Sequence, residues 1–159
     1  MQNKKIYILS VLLCLSLCGC GVIFVSDSEY EKLSLEETSS YFNNYQSSLE
    51  GQVCTASGQV YQSANKENAV IAWLNATEDS TLYITGYIRP LRGNVQLVYT
   101  AQDGTATLLS EKDGTLTTEE IAVTAGTGTI HFKGNGEKGL CGFRLEIRAG
   151  DGISLKNKP

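Results

Sequence analysis

Leu140-Cys141-Gly142-Phe143-Arg144-Leu145-Glu146-Ile147-Arg148 is the stretch that decides the fold. From Phe143 onward the odd positions are apolar and the even ones are charged, giving the two-residue period of a β-strand with one face in a core and one in water. Cys141 falls on the buried face with Phe143, Leu145 and Ile147.

The same texture runs upstream to Gly51. Short apolar or alternating runs at Val53 to Gln62, Ala69 to Asn75, Thr81 to Ile88, Asn94 to Ala101, Thr105 to Glu111, Glu119 to Thr124 and Thr129 to Lys133 precede the Leu140 to Arg148 run, and Ile153 to Leu155 follows it. Asp103-Gly104 and Asp113-Gly114 stand where hairpin turns are needed, and Gly126, Gly128, Gly134 and Gly136 punctuate the later runs. No helix-length periodic segment interrupts them, which argues against parallel crossovers. The expectation is a mainly β fold over 51–159, an antiparallel two-sheet β-sandwich of jelly-roll or immunoglobulin-like layout, with a closed barrel as the alternative. The strand spacing and the late Gly-Leu-Cys-Gly-Phe-Arg-Leu-Glu-Ile segment broadly resemble carbohydrate-binding modules and galactose-binding-like sandwiches, a likeness of layout that implies a glycan-binding role.

Ahead of the strands, Ser34-Leu35-Glu36-Glu37 has the form of a capping box. Tyr41, Phe42, Tyr45 and Leu49 recur at helical spacing, and Gly51 offers a stop, so the pattern predicts a short amphipathic helix over 34–50.

The first residues read as an address. Lys4 and Lys5 precede twenty residues without charge, Ile6 to Val25, the layout of an export leader. Within that run Leu17-Cys18-Gly19-Cys20 resembles the lipobox of bacterial lipoproteins, an aliphatic residue, a tolerant position, a small residue and then cysteine. The resemblance implies a signal peptide over 1–19, a diacylglyceryl lipid on the Cys20 thiol, cleavage just before it, and a tether over 20–33 that leaves the domain membrane-anchored on the extracytoplasmic side of the cell envelope. The alternative is an uncleaved transmembrane anchor, since twenty apolar residues can span a bilayer.

Cleavage would leave 140 residues, enough for one domain with a buried core, carrying 11 basic and 17 acidic side chains. That acidic balance, with scattered Lys and Arg, excludes a phosphate-binding surface for nucleic acid. Export also places Cys54 and Cys141 where disulfides persist. Ala56 and Val60 set the apolar face beside Cys54, so both thiols point into a core, and the expectation is a Cys54–Cys141 bridge, with two separately buried thiols as the alternative.

Signatures of catalysis are sparse. His131, the one histidine, lies opposite Ile130 and Phe132 in its run and reads as a solvated strand residue. A Cys-His pair with Cys54 or Cys141 is disfavoured because both cysteines face the core, and no G-x-S-x-G serine context occurs. Glu36-Glu37 and Glu119-Glu120 are neighbours whose side chains point apart, which does not build a two-carboxylate glycosidase site. A lone histidine and no spaced cysteine pair leave zinc without ligands, and the Asp-Gly pairs and Gly150-Asp151-Gly152 read as turns ahead of a calcium site. No catalytic residue, cofactor or metal is expected.

The remaining constellation is aromatic. Trp73 lies in one run, and Tyr83 and Tyr87 share a face of the next, opposite Leu82, Ile84 and Ile88, with Arg89 close behind. Outward rings of this kind stack on sugars or grip a protein partner; the alternative is that they fill sheet edges or lie beneath the N-terminal helix. The functional expectation is a non-enzymatic binding module for an envelope glycan or protein partner. A structural or assembly accessory lipoprotein comes second and an enzyme last. Cys20→Ala is expected to abolish both lipidation and cleavage, read by intact mass and by loss of detergent-phase partitioning; a product indifferent to the substitution would mark a transmembrane signal anchor instead.

Overall fold

The computed structural model describes residues 41–62, 69–110, 115–134, 136 and 138–158. Cys20, the leader, the tether and Ser34-Leu35-Glu36-Glu37 lie outside the described residues. The described residues form ten strands: β1 (Tyr41–Glu50), β2 (Val53–Gln62), β3 (Ala69–Ala76), β4 (Ser80–Arg92), β5 (Val95–Ala101), β6 (Ala106–Ser110), β7 (Thr115–Val123), β8 (Gly126–Gly134), β9 (Gly139–Ala149) and β10 (Ile153–Asn157). They form two five-stranded antiparallel sheets, ordered β1-β2-β9-β4-β7 and β10-β3-β8-β5-β6. The expected two-sheet arrangement is therefore present, and all nine expected strands lie within four residues of their anticipated bounds at each end.

Each sheet turns its apolar positions toward the other. Strand β9, which carries the alternating Leu140 to Arg148 run, is central to the first sheet and buries Cys141, Phe143, Leu145, Ile147 and Ala149 while exposing Arg144, Glu146 and Arg148. Opposite it, central β8 buries Ile130 and Phe132. The Phe132 and Phe143 rings meet with centroids 4.8 Å apart and planes tilted by 56°, an arrangement that adds about 1 kcal/mol to the area the two rings bury. Where β4 crosses β9, Gly86 has φ of 147° and a side chain there would run into the Arg144 carbonyl, so the two strands approach this closely only with glycine at that point.

The helix expected over 34–50 is corrected where the structure describes it, because 41–50 is strand β1. The helical spacing arises from a bulge. Between Asn43 and Gln46 the register with β2 shifts, three steps of β1 spanning two of β2, and Asn44 adopts a φ of 50°. Asparagine tolerates that left-handed conformation better than most residues. The extra residue returns Tyr45 to the face of Phe42, and both pack against the core. Phe42 lies 4.7 Å from Tyr45 and 6.0 Å from Phe143 between ring centroids.

β1 also ties the two sheets together at one side. Ser47 Oγ donates to the Lys158 carbonyl at 2.6 Å and accepts from Asn157 Nδ2 at 2.9 Å. The Lys158 ammonium sits 5.0 Å from the centre of the Phe42 ring.

The expected Cys54–Cys141 disulfide is likewise corrected. Both thiols are buried in the core, as their strand faces required, and both are free. The register explains it: Cys54 pairs with Ile147, whereas Cys141 pairs with Val60, six positions further along the same two strands. Six strand residues span roughly 20 Å, far beyond the roughly 7 Å between Cα atoms that a disulfide tolerates. Burial raises the pKa of both thiols, so neither is a ready nucleophile. Peptide mapping without reductant is expected to find Cys54 and Cys141 shielded from alkylation in native protein and fully alkylated after denaturation; alkylation that requires reductant would mean a bridge.

Candidate functional site

A bulge in β3 aims the key side chain. Along β3 and β8, Val70 pairs with His131 and Trp73 with Thr129, so three steps on β3 match two on β8 and Ile71 is the extra residue. Ala69, Ile71, Ala72, Leu74 and Ala76 are buried, and Trp73 joins Val70 on the outward face. The Ile71 carbonyl is held from the β10 side, accepting from the Lys158 N–H at 3.0 Å and from the Tyr45 hydroxyl at 3.5 Å. Trp73 is left 38% exposed.

Around it lies a groove of about 410 Å³ on the outer face of the second sheet, crossing β10, β3, β8 and β5. One row of cross-strand neighbours places Lys156, Trp73, Thr129 and Thr100 side by side, and the next places Ser154, Asn75 and Thr127 in line. Gln102 completes the lining, its Oε1 accepting from the Thr127 N–H at 3.1 Å. Among the described residues, Lys156 is the one charged side chain in the lining and no carboxylate joins it. The adjoining Asp103 carboxylate is held in the β5–β6 turn by the Thr105 N–H at 2.8 Å, a bond that also lowers its pKa. The groove therefore offers one aromatic face among hydroxyl and amide groups that can both donate and accept hydrogen bonds.

The other aromatic candidates lie elsewhere. Tyr83, Tyr87 and Arg89 are on β4 of the first sheet, whereas Trp73 is on β3 of the second, so the four residues do not form one site. Tyr83 has the Arg148 guanidinium 4.8 Å from its ring centre, Tyr87 is 48% exposed beside Arg144, and Arg89 is exposed opposite Gly142. The inward Leu82, Ile84 and Ile88 are buried, which puts the tyrosines on the outward face as their alternation required.

His131 departs from its reading as a solvated residue. It does lie on the outward face of β8, but it is only 3% exposed, flanked in register by Val70 on β3 and Val98 on β5. Its Nδ1 is 3.3 Å from the Thr129 hydroxyl oxygen. Burial, then the nearby Lys133 charge, lowers its pKa. Glu119 and Glu120 are both exposed. Among the described residues no three His, Cys, Asp or Glu side chains converge to hold a metal.

Thr100, Gln102, Thr127, Thr129, Ser154 and Lys156 were not singled out from the sequence, and the signal for them is weak. They stand side by side only once the strand order and the β3 bulge are known. Comparison with known protein families and with curated proteins finds no match to this chain.

Proposed function

We propose that the protein is an envelope lipoprotein, lipidated at Cys20, whose sandwich holds a cell-envelope glycan in the Trp73 groove on the extracytoplasmic side of the membrane. The observation that carries this reading is the exposed indole of Trp73 set among threonine, serine, asparagine and glutamine side chains. A sugar ring has an apolar C–H face and an edge of hydroxyls, which matches an aromatic plate surrounded by two-way hydrogen-bonding groups. A fully exposed tryptophan presents up to roughly 250 Å², so the exposed share is roughly 90 Å² and covering it is worth about 2 kcal/mol. The alternation of the chain between sheets at every connection except β1–β2 and β5–β6 supports the jelly-roll layout over the immunoglobulin-like one. The acidic balance and the single groove lysine argue against nucleic acid as the partner.

A protein partner is the second reading, supported by the outward Tyr87 and the Tyr83–Arg148 stack on the opposite sheet. Such a surface suits an assembly or accessory role and is independent of the groove. Retention of the full-length protein on purified envelope polysaccharide separates the two. Trp73→Ala is expected to weaken retention by roughly tenfold or more, the scale of one lost aromatic contact, while Tyr87→Ala leaves it unchanged. Equal retention of wild type and Trp73→Ala would remove the glycan reading.

A further inference from the structure

The sequence holds one histidine and one tryptophan, and the fold brings them to adjoining rows of one sheet face. Trp73 pairs with Thr129, and His131 stands two residues along the same strand, with its Nδ1 3.3 Å from the Thr129 hydroxyl. Thr129 is thus shared, lining the groove on one side and bonded to the imidazole on the other. We propose that His131 is the positioning residue of the groove, governing through Thr129 whether that hydroxyl donates or accepts toward a ligand beside Trp73. This rests on the reading of the groove as a binding site.

The chemistry follows from the two nitrogens of imidazole. A neutral ring lets Nδ1 either accept from the Thr129 hydroxyl or donate to it, according to tautomer. A protonated ring carries hydrogen on both nitrogens, so Thr129 becomes the acceptor and its own hydrogen turns away from His131. Protonation therefore removes a choice at the groove and places a positive charge one row from the indole.

The surroundings hold the ring in its neutral form. β3 faces it with Val70 and β5 with Val98, neither of which can compensate a charge. On β8 itself Lys133, two residues on, adds like-charge repulsion, and Lys133 is paired in register with Gln96 of β5. Burial and that lysine both act in the same direction, so the neutral form persists to lower pH than in an exposed histidine whose pKa is near 6.5. Neutral His131, and the choice open to Thr129 with it, is complete above that value and is lost as pH falls through the depressed pKa.

The single Trp73 makes the coupling visible without any ligand. The full chain in detergent micelles is titrated from neutral to acid pH, following the His131 ring protons by NMR and Trp73 emission by fluorescence. The expected result is one transition, with the same midpoint below 6.5 in both signals. His131→Gln is expected to abolish the emission step. Thr129→Val is expected to cut its amplitude at least twofold while His131 still titrates, and Thr129→Ser to restore it. An emission step that survives His131→Gln, one unchanged in Thr129→Val, or a flat wild-type titration overturns the proposal. Because no glycan is present, failure of polysaccharide retention would sink the reading of the groove and leave this coupling standing, and the reverse outcome is equally separable.

Discussion

Much of this molecule depends on one extra residue in β3. A strand that alternated strictly from Val70 would turn Val70, Ala72 and Leu74 to one face and Ile71 and Trp73 to the other. Inserting Ile71 as a bulge lets Ile71, Ala72 and Leu74 all enter the core while Trp73 faces out. The distortion is supported from the far side, where Lys158 and Tyr45 both bond the Ile71 carbonyl. Tyr45 itself reaches that position through the bulge in β1. Two irregular strands from different sheets thus depend on each other, and the polar contacts of Ser47 with Lys158 and Asn157 fasten them.

The sandwich consequently has two outer faces of different character. The first sheet shows Arg144, Glu146 and Arg148 with Tyr83 and Tyr87, a solvated ladder of both signs of charge. The second shows the Trp73 groove, in which one lysine is the only charge among the described residues. Exposed charge on the first face contributes little to stability, but it keeps that face wet. The uncharged hydroxyl and amide lining on the second is better suited to a neutral ligand rich in hydroxyls.

Strand period made most of this architecture legible in advance. The alternation in Leu140 to Arg148 placed Cys141, Phe143, Leu145 and Ile147 inward, and the spacing of turn residues located the neighbouring strands. Legibility failed where one residue of bulge shifts the period. Phe42, Tyr45 and Leu49 looked helical because a bulged strand and a helix can present the same three-and-four spacing. The sequence also carries no register, so Cys54 and Cys141 shared a face without any sign that they are six pairs apart. His131 was placed on the correct side of its strand, but its burial between Val70 and Val98 comes from partners on other strands. For the candidate site, Trp73 was visible by residue type alone, and the hydroxyls around it were not.

The Ile71 bulge puts the one tryptophan of the sequence on the solvent side of its sheet, where a ligand can reach it. Acrylamide quenching of intrinsic emission in the native protein tests it most directly. With Trp73 outward, the expected result is a red-shifted emission that acrylamide quenches readily before denaturation, with only a modest further gain after it. A blue-shifted emission shielded from acrylamide until the protein unfolds would place Trp73 in the core and overturn its assignment to the outer face.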